Sequence, residues 1–107
     1  GTQRRTNTYV DDCVEGTISA IDKATPGEIY NLSGTESYSL NEALGIIEEV
    51  TGKTLDVHYE PARAGDQKET KGNIAKAQAE LDYRPQWSLR DGLAAEWEWI
   101  QSLPATT

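Results

Sequence analysis

The sequence has one cysteine, Cys13, and one histidine, His58, among 107 residues. A single thiol cannot close an internal disulfide. Neither residue has a second sulfur or imidazole in its neighbourhood to complete a metal site. Cys13, between Asp12 and Val14 in a helical pattern, reads as a small buried or half-buried hydrophobe. His58 lies on the polar face of a strand-like run and reads as a solvated or locally bonded imidazole. No apolar run approaches the roughly 20 residues of a membrane-spanning helix, and no signal-peptide pattern opens the chain. The expectation is a soluble, cytoplasmic protein with no membrane partner. Positive charge is scarce: 10 Lys and Arg against 18 Asp and Glu leave a net charge of −8. Arg4 and Arg5 are the only adjacent basic pair, which excludes the basic stripe that phosphate-backbone binding requires, and with it nucleic acid as the main partner.

Catalytic signatures are missing too. There is no P-loop, no glycine-rich dinucleotide turn and no G-x-S-x-G elbow. None of Tyr9, Tyr30, Tyr38, Tyr59 and Tyr83 has a lysine four residues on, so there is no Tyr-x-x-x-Lys pair for proton transfer coupled to hydride chemistry. The expected catalytic, cofactor-binding and metal-ligating residues within this chain are therefore none. The chain also begins with Gly rather than Met, which reads as processing or as a piece of something longer.

What is present is a globular composition, 36 % hydrophobic and 26 % charged, of a length that suits one compact domain with a self-supporting core. Residues 6–10 read as a short strand. Asp12 followed by Glu15 forms a capping box, with Val14, Ile18 and Ile21 as the apolar stripe of a helix over 12–24. Residues 28–32 read as a second strand. "SLNE" at 39–42 is another capping box; Leu40, Ala43, Leu44, Ile47 and Val50 follow at helical spacing, and Gly52 sits where a C-cap glycine belongs. "TLDVHYE" at 54–60 alternates as a half-buried strand. Asn73 caps a helix through Ile74, Ala77 and Leu81. Ser88 caps a last helix with Leu89, Leu93, Trp97 and Ile100 on its inner face and Trp99 off it. The expected class is α/β, with short strands and four helices.

After the third strand comes "EPARAGDQ", in which Arg63 lies between Pro61 and Gly65 and Asp66 follows. The guanidinium fork matches phosphate oxygens, the flanking Pro and Gly restrict and open the backbone, and a nearby carboxylate suits a ribose diol. Arg5 would join Arg63 if the first and third strands paired antiparallel, giving two arginines for a diphosphate. Spacing alone favours two unrelated surface arginines and a turn aspartate.

Five stretches in order, "QRRTNTYVDDCVEGTISAID", "GEIYNLSG", "SYSLNEALGIIEEVTGK", "YEPARAGDQKET" and "NIAKAQAELDYRPQWSLRDGL", resemble the C-terminal third of extended short-chain dehydrogenase/reductases acting on nucleotide sugars, closest in pattern to UDP-glucose 4-epimerase-like proteins. The resemblance implies the C-terminal substrate-binding portion of a Rossmann-type enzyme over 1–107. NAD would be bound by an N-terminal domain that these residues do not include, and dimerisation would run through that domain. It implies an isomerase of carbohydrate metabolism that oxidises the sugar at C4 and returns the hydride to the other face, with this chain alone inactive. The ligand implied is a nucleotide-diphosphate sugar, a UDP-sugar. The pattern Q-x-R-D-[FY]-x-[YH]-V-x-D, matched here by Gln3, Arg5, Tyr9, Val10 and Asp12, assigns Arg5 to the diphosphate. P-x-R-x-G-D assigns Arg63 to the diphosphate and Asp66 to the ribose. Thr6 and Asn7 depart from the first pattern, which implies a less well-packed first strand and an Arg5 less firmly placed than Arg63. A nucleotide-sugar dehydratase or uronate decarboxylase fits the same scaffold, and a stand-alone binding module is the reading outside enzymology.

Overall fold

A computed structural model describes residues 1–105. The elements run β1 (Arg4–Thr6), α1 (Val10–Lys23), β2 (Ser37–Ser39), α2 (Leu40–Thr51), α3 (Ala75–Leu81) and α4 (Leu89–Ser102). β1 and β2 form a two-stranded antiparallel sheet in the register Arg4–Ser39, Arg5–Tyr38, Thr6–Ser37. The α/β class and the four helices agree with the sequence. Two of the three expected strands do not form: neither 28–32 nor 54–60 is a strand, and the first is displaced to Arg4–Thr6. The alternation in 54–60 is real, but that segment has no backbone partner. Side chains hold it instead: the Leu55 N–H donates to a Glu48 carboxylate oxygen at 3.3 Å and the Tyr59 hydroxyl to Asn41 Oδ1 at 2.7 Å.

Helix ends are set by the local chemistry read above. Ser39 and Ser88 accept from the third-residue amides Glu42 N–H (3.1 Å) and Asp91 N–H (3.0 Å), and Gly52 ends α2 at φ 68°, where a Cβ would be strained. Asn73 Oδ1 takes the Ala75 N–H at 3.1 Å at the start of α3. The exception is α1. It begins two residues before Asp12, at Val10, and its N-cap Tyr9 makes no side-chain cap. Asp12 is only 5 % exposed and turned inward.

The orientation of α1 is the largest departure. Its apolar stripe, Val10, Val14, Ile18 and Ile21, faces outward, with Ile21 80 % exposed. The opposite side, made of Asp12, Gly16 and Ala20, packs inward. Size explains the choice. A Cβ on Gly16 would sit 2.8 Å from Leu32 Cδ1 and 3.0 Å from Tyr83 Cδ1, so the helix lies flush on these side chains only through its small face. Cys13, expected buried or half-buried, is exposed on the same helix.

The core is correspondingly small: Ile74, Ala77, Leu81 and Tyr83, with Ala20, Ala24, Tyr30 and Leu32 against them. A second layer packs α2 on α4, joined across the surface by an Arg90–Glu49 ion pair. There Trp97 is half-buried rather than core, Ile100 is exposed, and Trp99 is off the packed face as expected. The chain is more extended than the compact domain that its length suggests. The radius of gyration is 16.6 Å, against roughly 13 Å for a compact chain of this length. The accessible area is 8014 Å², against roughly 5,900 Å² for a monomer of this mass.

Tyr83 ties the core to the loop before β2, its hydroxyl donating to the Ser33 carbonyl at 2.9 Å. Burial, then the charges of Asp12 and Cys13, raise its phenol above the ordinary value. A raised phenol binds its proton more tightly in the folded state, so its contribution is complete below about pH 10 and is lost as pH climbs toward the raised value. Tyr38, raised by its hydrogen bond to Glu36, acts in the same direction. In urea titrations we expect stability to fall above pH 10, and Tyr83→Phe to flatten that fall.

Candidate functional site

β1 is the spine of the site. On one edge it pairs with β2, and backbone bonds continue the contact from Leu40 N–H to the Gln3 carbonyl and from Asn41 N–H to the Gly1 carbonyl, both 2.9 Å. On the other edge Arg4 N–H donates to the Lys68 carbonyl (2.7 Å) and Thr70 N–H to the Arg4 carbonyl (3.0 Å), a parallel bridge between Arg4 and Glu69. The segment leaving the arginine loop is thus strapped to β1.

Arg5 reinforces that strap. One guanidinium nitrogen donates to its neighbour's carbonyl, Arg4 O, at 2.7 Å and the other to the Gln67 carbonyl at 2.9 Å. Arg5 is half-buried, and among the described residues it is in no ion pair. Arg4, by contrast, turns to the other face and is neutralised by Glu42 at 3.1 Å; that contact holds the Glu42 carboxyl below its usual range.

The loop itself is a turn. Asp66 N–H donates to the Arg63 carbonyl at 3.2 Å, with Gly65 at φ 89°. Only glycine adopts that φ without strain, so Gly65 is what folds Asp66 back beside Arg63. The Arg63 side chain is 81 % exposed and has one distant partner, Glu60 at 4.0 Å.

Arg5, Arg63 and Asp66 line one open cleft of about 580 Å³, with apolar walls from Leu40, Leu44 and Val57. That volume is within the usual range of small-molecule pockets. The route differs from the sequence expectation. The arginines meet because 67–70 is bonded to β1, not because 54–60 pairs with it. The relative firmness is also reversed: Arg5 is anchored by two carbonyls, while Arg63 is exposed with Glu60 as a distant partner. The Thr6 hydroxyl is buried and has no hydrogen-bond partner among the described residues.

The cleft carries three cations, Arg5, Arg63 and Lys68, against two carboxylates, Glu60 and Asp66, in a chain of net charge −8. His58 also lines it, 3.4 Å from Asp56 and exposed, in accord with a solvated imidazole. Among the described residues no His, Cys, Asp and Glu cluster could hold a metal ion, and no helix is long and apolar enough to cross a membrane.

Asp12 has a role that its sequence context did not reveal. Its carboxylate oxygens accept the Gln86 N–H at 2.9 Å and the Trp87 N–H at 3.1 Å, the two amides just before the Ser88 cap. Tyr9 stacks on Trp87 with ring centroids 4.0 Å apart, and Gly92 leaves room for the Tyr9 ring, which a Cβ would approach to 2.9 Å. The start of α1 is thereby clamped to the start of α4. Only contacts across more than seventy residues carry this role, so helix-local pattern could not find it.

No protein-family model matches the sequence. The chain is 36 % identical over 104 residues to an uncharacterized UDP-glucose epimerase, YtcB, of Bacillus subtilis (strain 168), covering 96 % of this chain and 33 % of that protein. It is 31 % identical to UDP-glucuronic acid decarboxylase 1 of Arabidopsis thaliana, covering 87 % of this chain and 21 % of that one. Its fold superposes with TM-score 0.86 and 37 % identity on UDP-glucuronic acid 4-epimerase from Bacillus cereus, solved with UDP-glucuronic acid and NAD, covering 94 % of this chain and 33 % of that one. The chain thus spans a third or less of each of these three proteins. By sequence and by fold, the chain is similar to part of nucleotide-sugar epimerases and of a nucleotide-sugar decarboxylase.

Proposed function

We propose that this chain is the nucleotide-binding part of an NAD-dependent UDP-sugar 4-epimerase. Arg5 and Arg63 would hold the diphosphate and Asp66 the ribose diol. The observation that carries the reading is the convergence of two arginines and a carboxylate on one cleft of an otherwise acidic chain. Charge-assisted bonds from arginine forks are the strong ones in such sites. Anchoring the nucleotide supplies binding energy remote from the reacting carbon, which positions that carbon for chemistry elsewhere.

The residues of this chain do not fit NAD. None of its helices is preceded by a glycine-rich phosphate turn, and its close-packed glycines are occupied by the chain's own atoms, Gly34 by the Asn7 carbonyl and Gly72 by Ser33. The redox step therefore belongs to other parts of the protein. The outward apolar stripe of α1, Val10, Val14, Ile18 and Ile21, is where we place the contact with that NAD-binding part.

A sugar-nucleotide decarboxylase is the second reading, and the Arabidopsis relative favours it. Both reactions need the same nucleotide anchor, so the residues described here do not separate them.

Titration calorimetry of the complete protein with UDP tests the anchor. Arg63→Ala should weaken binding by about 1.5–3 kcal/mol, roughly 10- to 150-fold in Kd. Arg63→Lys should recover only part, because an ammonium lacks the planar fork. Equal affinity of Arg63→Ala and the wild type would remove Arg63 from the site.

A further inference from the structure

We propose that Lys68 is a third phosphate-contacting cation of this cleft, an assignment that rests on the diphosphate reading of Arg5 and Arg63. The parallel bridge sets Arg4 opposite Glu69. Side chains alternate along extended backbone, so the residues flanking that pair, Arg5 and Lys68, share the opposite face. Both line the same cleft as Arg63. Lys68 is not on a wandering loop: its carbonyl accepts from Arg4 N–H at 2.7 Å, and the carbonyl just before it, Gln67 O, accepts from Arg5 at 2.9 Å.

The donors that remain for a ligand point the same way. Of the five N–H donors of a guanidinium, Arg5 has committed its hydrogen bonds from two nitrogens to backbone carbonyls. Arg63 is drawn toward Glu60. Lys68 is in no ion pair among the described residues, and its sequence neighbour Glu69 does not line the cleft. Its ammonium brings three uncommitted donors and a full charge. It is the one lysine among the described residues that shares a cleft with both arginines. Arginines whose donors are partly committed leave diphosphate oxygens without partners, and Lys68 supplies further donors from the strapped edge of the cleft.

The test titrates the complete protein with UDP, UMP and uridine, for the wild type, Lys68→Gln, Lys68→Arg and Arg63→Ala, at two salt concentrations. Lys68→Gln should weaken UDP by about 5- to 20-fold, weaken UMP less and leave uridine unchanged. Its UDP affinity should also depend less steeply on salt, and Lys68→Arg should restore UDP binding. Unchanged UDP affinity in Lys68→Gln, or an equal loss for uridine and UDP, overturns the assignment. If Arg63→Ala loses UDP affinity while Lys68→Gln does not, only Lys68 is rejected. If neither variant loses affinity, the diphosphate reading falls with it.

Discussion

Replacing Asp12 by alanine is expected to cost about 2–4 kcal/mol of folding stability, more than a surface carboxylate could account for. The carboxylate accepts two backbone amides, Gln86 N–H and Trp87 N–H, from a position 5 % exposed. A hydrogen bond with one charged partner contributes roughly 1.5–3 kcal/mol, and stranding buried donors adds their desolvation cost. The two amides lead directly into α4, so their loss also loosens the Tyr9–Trp87 stack and the first turn of that helix. Asp12→Asn keeps one acceptor oxygen and should recover part of the loss. A helix N-cap would behave differently, since removing one typically costs about 1 kcal/mol and asparagine is as good a cap as aspartate. Urea titration of the three proteins by ellipticity separates the two roles. A deficit below about 1 kcal/mol for Asp12→Ala, fully repaired by Asp12→Asn, would return Asp12 to a capping role.

That contrast marks what the sequence could convey. Ser39, Gly52, Asn73 and Ser88 act on atoms within four residues of themselves, and each forms the local contact its context predicts. Asp12 offers the same serine-like or carboxylate-like signature with a glutamate three residues on, yet its partners are 74 and 75 residues away. A tertiary acceptor role outcompetes a local one when two buried amides would otherwise go unbonded. The strands fail for a related reason. The apolar–polar alternation of 54–60 identifies extended chain but not a backbone partner, and the partner that β1 takes on its second edge is the polar stretch 68–70, which carries no strand pattern at all. The turn through Arg63, Gly65 and Asp66 is legible because its backbone bond is local. The contact of Arg5 with that turn was legible only as a possibility of pairing, and it is realised through Gln67.

Leu81→Ala and Ile18→Ala should have opposite consequences, although both remove a large aliphatic side chain from a helix with an apolar stripe. Leu81 is completely buried among Ile74, Ala77 and Tyr83. Its truncation leaves a cavity in a core of very few residues, and such changes cost about 2–5 kcal/mol. Ile18 is 52 % exposed on the outer face of α1. In the 107-residue chain its truncation should stay within about 0.5 kcal/mol, and Ile18→Asp should raise solubility by breaking an apolar patch. In the complete protein the same Ile18→Asp should be strongly destabilising, because a charge would then be buried without a partner. Melting curves of both proteins in both contexts decide the matter. A chain in which Ile18→Ala is as damaging as Leu81→Ala would mean that α1 is turned the other way. A complete protein indifferent to Ile18→Asp would mean that nothing covers α1, and the cleft beside β1 would then have to work without a second body packed behind it.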